Sequence, residues 1–241
     1  MEAMIEAACK KLKIGRTIYK GYKDIQAESH EEFLLKLLQE EVLNRQQQRK
    51  NRLLKNAGFD VIKTFQDYSF EHVVIPKSIQ LQGITNVEFL QKKENLILYG
   101  PVGTGKTHLA TAIGVEACAQ GKTVKYVRTA ALVNQLTEAK ASGSLKKYFR
   151  QIQKCDLLIC DEWGYVPFEK EGAQLLFQVI SECYERRSVI ITTNLEFSHW
   201  NGIFYDEKMT SAIIDRLIHH SHLLVFGGPS YRLKNSTINC Q

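Results

Sequence analysis

The chain has 241 residues, 44% hydrophobic and 24% charged, with 15 glycines and 4 prolines; this is enough for one sizeable core plus an appendage and excludes a collagen-like or disordered polypeptide. A net charge of +6 permits a polyanionic partner without requiring one. No stretch reaches the ~18 apolar residues of a membrane helix, acids at Glu2 and Glu6 interrupt any signal-like core, and the six cysteines include no CxxC pair, so a reduced, cytoplasmic chain away from membranes is expected.

Residues 1–60 read as a small helical module. Ile5, Cys9 and Leu12 recur at helical spacing, and a longer pattern runs from Phe33 through Leu34, Leu37, Leu38 and Val42 toward Leu53. Ser29 followed by Glu32 is a capping-box signature at its start, and Gly58 suits its end. Arg45, Arg49 and Arg52 fall on one face, with Lys50 beside them; such a stripe can track phosphates, or can be an ordinary solvated helix face. Residues 61–94, with Pro76 and Gly83, read as a connector. Beyond it, in 95–241, five short apolar runs alternate with longer amphipathic segments: NLILYG (95–100), KTVKYV (122–127), CDLLIC (155–160), SVIITTN (188–194) and HLLVFGG (222–228). Runs of this kind suit strands buried on both faces, and the segments between them suit crossover helices, so an α/β core with a parallel five-stranded sheet is predicted.

The first run leads into GPVGTGKT, which fits G-x-x-x-x-G-K-[ST] in full and is followed by a helical pattern. Gly100, Pro101, Val102, Gly103, Thr104, Gly105, Lys106, Thr107 and His108 are therefore expected to cradle the phosphates of ATP. Glycines let the backbone N–H groups turn inward toward phosphate oxygens at a helix N-terminus. Lys106 would neutralise the β- and γ-phosphates, and the Thr107 hydroxyl would ligate Mg²⁺. The third run ends in Asp161 and Glu162, where a parallel sheet opens its ligand crevice. The first acid would hold Mg²⁺ through water, and the second would orient or deprotonate the attacking water, a pairing that speaks against a small-molecule kinase. Asn194, closing the fourth run, could position the same water, although an asparagine there also serves as a turn residue. Arg216 and Arg232 offer guanidinium groups for charge on a transferring phosphoryl group, or local ion pairs such as Arg216 with Asp215. His219, His220 and His222 have no carboxylate or cysteine at a spacing that completes a metal site. Adenine contacts are expected near Phe65 to Phe70, whose aromatics equally suit a core.

Over almost its whole length the chain resembles the IstB-like helper ATPases of insertion-sequence transposons, relatives of the DnaC and DnaI helicase loaders within the AAA+ superfamily. The segments that carry the resemblance are GPVGTGKTHLATAIG, DLLICDEWGYVPF, SVIITTNLEFSHW and DRLIHHSHLLVFGGPSYRL. It implies an AAA+ P-loop NTPase whose N-terminal helices and core bind duplex DNA. It also implies ATP-driven assembly into a homo-oligomer with active sites at subunit interfaces, and recruitment and stimulation of a partner transposase. By motif, Asn194 takes the place of sensor I, Arg216 that of the arginine finger acting on a neighbouring subunit, and Arg232 that of sensor II. In the same light Arg45, Arg49, Lys50 and Arg52 become expected DNA contacts. Val102 stands where proline is frequent and Cys160 where an aliphatic residue is usual, neither of which touches nucleotide chemistry. A replicative helicase loader of the DnaC/DnaI type is the alternative, although the N-terminal module shows no stacking aromatics along its arginine-rich stretch. A DNA-binding module with a vestigial pocket is disfavoured by the joint presence of Lys106, Thr107, Asp161 and Glu162, and transposase catalysis by the chain itself lacks a separate carboxylate triad.

Overall fold

A computed structural model describes residues 1–165, 168–204 and 206–234. They form two compact units, Met1–Arg52 and a second beginning at Leu53, with the division inside one long helix. The first unit contains α1 (Glu2–Lys11), α2 (Arg16–Gly21) and most of α3 (His30–Ala57). Capping at the start of α3 follows its sequence: the Ser29 hydroxyl accepts from the Glu32 N–H at 3.1 Å, and the Glu32 carboxylate accepts from the Glu28 N–H at 2.7 Å. This is a capping box whose return bond is displaced by one residue. The helix stops where Gly58 turns left-handed at φ +82°. Within the unit, buried Glu41 accepts from the Gly15 N–H at 3.0 Å and from Arg45 Nε at 2.6 Å, and Arg45 also donates to the Lys13 carbonyl at 3.1 Å. Arg45 therefore braces the module. Leu34, Leu38 and Val42 of the apolar pattern are exposed.

The second unit begins with the end of α3 and continues through β1 (Val73–Val74), α4 (Leu81–Thr85), α5 (Phe89–Lys92), β2 (Asn95–Tyr99) and α6 (Lys106–Ala119). It then runs through β3 (Val124–Arg128), α7 (Thr129–Ala141), α8 (Leu145–Ile152), β4 (Leu157–Trp163), α9 (Lys170–Cys183) and β5 (Ser188–Thr193), ending with α10 (Asn201–Phe204), α11 (Glu207–Ile218), β6 (Ser221–Phe226) and α12 (Tyr231–Lys234). Strand order is β1-β6-β2-β5-β4-β3, with β2 to β6 all parallel. The sheet thus has six strands where the apolar runs predict five. The extra one, β1, is a Val-Val pair antiparallel to the β6 edge, Val73 opposite Phe226; two residues carry no alternation, and only β6 makes them a strand.

Alternate strand residues feed two cores, as a sheet covered on both faces requires. On one side Leu96, Leu98, Tyr126, Ile159 and Leu224 pack with α6 and with Ile84, Val87, Phe89 and Leu90 from the segment before β2. On the other, Leu158, Cys160, Trp163, Val189 and Ile191 pack with α7, α9 and α11. Among the described residues no helix is long and apolar enough to cross a membrane.

Candidate nucleotide site

The loop between β2 and α6 takes a shape that its glycines make possible. Gly100 passes so close to β6 that a Cβ there would collide with the Phe226 carbonyl oxygen, and Gly105, capping α6, sits left-handed at φ +96°. Within this loop Lys106 folds back, its Nζ donating to the carbonyls of Gly100 and Pro101 at 2.6 Å each. Burial pushes the Lys106 ammonium down to about 8, against the pull of Asp161 and helped by the nearby charge of Arg232. Thr104 closes the turn on the Pro101 carbonyl at 2.8 Å, and His108 reaches the Thr64 carbonyl at 3.0 Å. Val102 is exposed at the loop tip.

Asp161 is the convergence point. Its Oδ1 accepts from Thr107 Oγ1 at 3.0 Å and from the Thr192 hydroxyl, while Oδ2 accepts from the Tyr126 hydroxyl at 2.7 Å. The carboxylate is buried, so these three donors replace the water it has lost. Burial, and then the bond to Asp161, drive the Tyr126 phenol far above its ordinary range, which keeps it a donor. Glu162 is different. Pairing of β4 with β5 runs from Cys160 opposite Ile191 to Trp163 opposite Thr193, so β4 holds one extra residue, and Glu162 takes φ +57° at this bulge. The bulge turns neighbouring acids to different environments: Asp161 inward and Glu162 outward, about half exposed, with its N–H donating to Thr192 Oγ1 at 3.0 Å. Arg128, ion-paired with Asp60 at 2.6 Å, brings its Nε to 4.0 Å from the Glu162 carboxylate.

The remaining expected residues divide. Asn194 follows β5, and its Oδ1 is buried with no hydrogen-bond partner among the described residues. Arg232 lies on α12, whose start is fastened to the phosphate loop by the Tyr231 N–H donating to the Gly103 carbonyl at 3.0 Å. Arg216 points elsewhere, donating to the Ala212 carbonyl at 2.9 Å and stacking 5.1 Å above the Phe177 ring. Arg49 and Arg52 are exposed on α3, beside half-buried Lys50. Tyr68, from the aromatic stretch singled out for adenine, packs its ring against Gly105 and makes an edge contact with Phe70 at 4.8 Å. Tyr126, Thr192 and Arg128 belong to no contiguous motif; for the first two, a hydroxyl at a buried position of an apolar strand is the signal in the sequence.

These residues fit ATP with Mg²⁺. Thr107 and Asp161 present oxygen donors 3.0 Å apart, suited to a hard cation, and the only bonds found for the Lys106 ammonium among the described residues are two carbonyls that a phosphate can replace.

A P-loop between the first parallel strand and its helix, an acidic pair on β4 and five parallel strands in the order β6-β2-β5-β4-β3 define a P-loop NTPase of the AAA+ type. The family profile described as IstB-like ATP binding protein matches residues 12–239, and the chain belongs to that family. It is 38% identical over 208 residues to the ATP-binding protein of insertion sequence IS21 from Pseudomonas aeruginosa, covering 86% of this chain and 78% of that one. With the ATP-binding protein of insertion sequence IS232 from Bacillus thuringiensis subsp. berliner the identity is 36% over 204 residues, covering 85% and 82%. Among solved structures the DnaC helicase loader superposes with a TM-score of 0.51 at 23% identity, over 59% of this chain and 86% of that one. DnaI superposes at 0.54 and 18%, over 75% and 93%. At these identities the two loaders show a shared fold.

Proposed function

We propose that this chain is an ATP-hydrolysing assembly factor of an insertion sequence, which multimerises on target duplex DNA and there recruits and stimulates a transposase. The observation that carries the reading is the Thr107–Asp161–Thr192 cluster beside an outward-facing Glu162, within a family whose relatives are insertion-sequence ATP-binding proteins. In this mechanism the nucleotide phosphates replace the Gly100 and Pro101 carbonyls on Lys106, and the left-handed glycines leave room for the backbone N–H groups to face them. Thr107 and Asp161 would hold Mg²⁺, which when bound would supply positive charge to the phosphates. Glu162, outside the buried network that occupies Asp161, acts on the attacking water, with Asn194 just after β5 as the second group proposed to orient it. Arg232 reaches the phosphates from α12. The exposed arginines of α3 meet DNA phosphates.

Lys106→Ala is expected to weaken nucleotide binding, whereas Glu162→Gln keeps binding and lowers hydrolysis by about a hundredfold or more. Light scattering on plain duplex should show a multimer with ATP and Mg²⁺ but not with ADP, and Glu162→Gln should hold it assembled. Hydrolysis by Glu162→Gln at the parent rate overturns the assignment of the base. Assembly only on single strands together with a helicase replaces the transposition reading with that of a loader.

A further inference from the structure

The histidine-rich turn lies at the opposite strand ends from the phosphate loop, where β5 and β6 begin. His222 is taken up by the core: it is buried, with Nδ1 2.8 Å from Ser78 Oγ and Nε2 3.1 Å from the Glu94 carboxylate. His219 and His220 stay exposed, and the fold brings to them the carboxylate that the local sequence lacks, Glu185 from the turn before β5. One ligand atom from each of the three lies within 4.8 Å of the others.

We propose that Glu185, His219 and His220 bind a divalent cation of the zinc class, with water completing a tetrahedral shell and Tyr184 orienting His219. Imidazole nitrogens with one carboxylate oxygen are a donor set for zinc rather than magnesium. His220 Nε2 stands 3.5 Å from Glu185 Oε1, long for a hydrogen bond and close to the ~3.4 Å that separates N and O ligands at tetrahedral angles on zinc. The Tyr184 hydroxyl lies 2.8 Å from His219 Nδ1 and holds that ring in place beside the other two groups, as partners of metal-binding histidines do. Backbone hydrogen bonds hold both supports. Asn95 N–H donates to the His220 carbonyl at 2.7 Å, and the N–H groups of Arg186 and Arg187 both donate to the Cys183 carbonyl at 3.0 Å. Glu185 itself holds a left-handed backbone at φ +56°, a conformation a glycine adopts at less cost, and this strained turn is the one that delivers its carboxylate to the histidines. A bound ion would join the turn before β5 to the end of α11, three residues from Arg216.

The test is calorimetric titration of Zn²⁺ alone into the full chain under excess Mg²⁺, so that the Thr107–Asp161 oxygens do not report. Cys9, Cys155 and Cys240 are replaced by serine to remove competing thiols. One ion per chain with micromolar affinity is expected, and Co²⁺ in its place should give the visible spectrum of a four-coordinate site. Glu185→Gly separates ligation from folding: it relieves the left-handed strain and should raise Tm without metal, yet weaken zinc binding about tenfold or more. His219→Ala and His220→Ala should weaken it likewise, and His199→Ala should not. Absence of saturable binding at one ion per chain overturns the site, as does binding that survives all three ligand substitutions.

Discussion

Lys106 carries the clearest consequence at the scale of single residues. With its ammonium pushed down to about 8 by burial, the loop lysine is partly neutral just above that pH. A polyphosphate beside it favours the charged form and raises its pKa again. Nucleotide binding should therefore take up a proton above pH 8, and affinity should fall as pH rises from about 8 toward the ordinary lysine value of 10.5. Below that window Lys106 is charged whether or not nucleotide is bound and contributes no slope. For folding the sign is set by the same depression: the nucleotide-free chain is held less stable below pH 8, where the buried ammonium is charged, and regains that stability as pH rises through 8 toward 10.5. Calorimetry of ATP binding at pH 8.5 in two buffers of different ionisation enthalpy measures the uptake directly. Lys106→Arg, which stays charged throughout, should bind with no proton uptake and a flat profile; a parental slope in that variant would place the titrating group elsewhere.

Among the elements, β2 shows how much one buried polar side chain organises. Asn95 Oδ1 accepts from the Val189 N–H at 2.8 Å, and its Nδ2 donates to the Leu217 carbonyl at 3.2 Å, so the first residue of β2 locks β5 and the end of α11. Asn95→Ala strands the Val189 N–H, while Leu217 keeps the Ser221 hydroxyl. The expected loss is roughly 1–3 kcal/mol, read as a lower urea midpoint at unchanged slope; no shift would mean that water reaches Val189. This coupling could not be read from NLILYG, where Asn95 merely precedes an apolar run. Strands β2 to β6 were legible as short apolar runs, of which β2, β4 and β5 are buried on both faces while β3 and β6 bury fewer of their residues, and the phosphate loop because its chemistry is contiguous. The two-residue β1 and the Glu162 bulge were not, since each exists only through pairing with another strand. The same holds at the site: Asp161 stands out at a strand end, whereas the Tyr126 and Thr192 hydroxyls that hold it come from positions 35 and 31 residues away.

For the whole molecule, Arg216 is the residue that bears on the proposed assembly of several copies. Its guanidinium stacks on Phe177 and donates to Ala212, both on its own side of the sheet with α9 and α11, so the residue expected to meet a γ-phosphate is occupied elsewhere in its own subunit. In the proposed assembly a group so placed would act on nucleotide by being offered to a neighbour, the arrangement in which a guanidinium supplied in trans stabilises charge on the transferred phosphoryl. Complementation follows from that geometry. Arg216→Ala subunits keep a complete loop but lack the donor, and Lys106→Ala subunits lack the loop but keep the donor; each alone should be nearly inactive. Mixed on duplex DNA, they form junctions in which an intact loop faces an intact arginine, and ATP hydrolysis should reappear, highest near equal amounts. Activity that stays at the level of the single variants at every ratio would mean that Arg216 serves its own chain through Phe177, bracing α11 against α9.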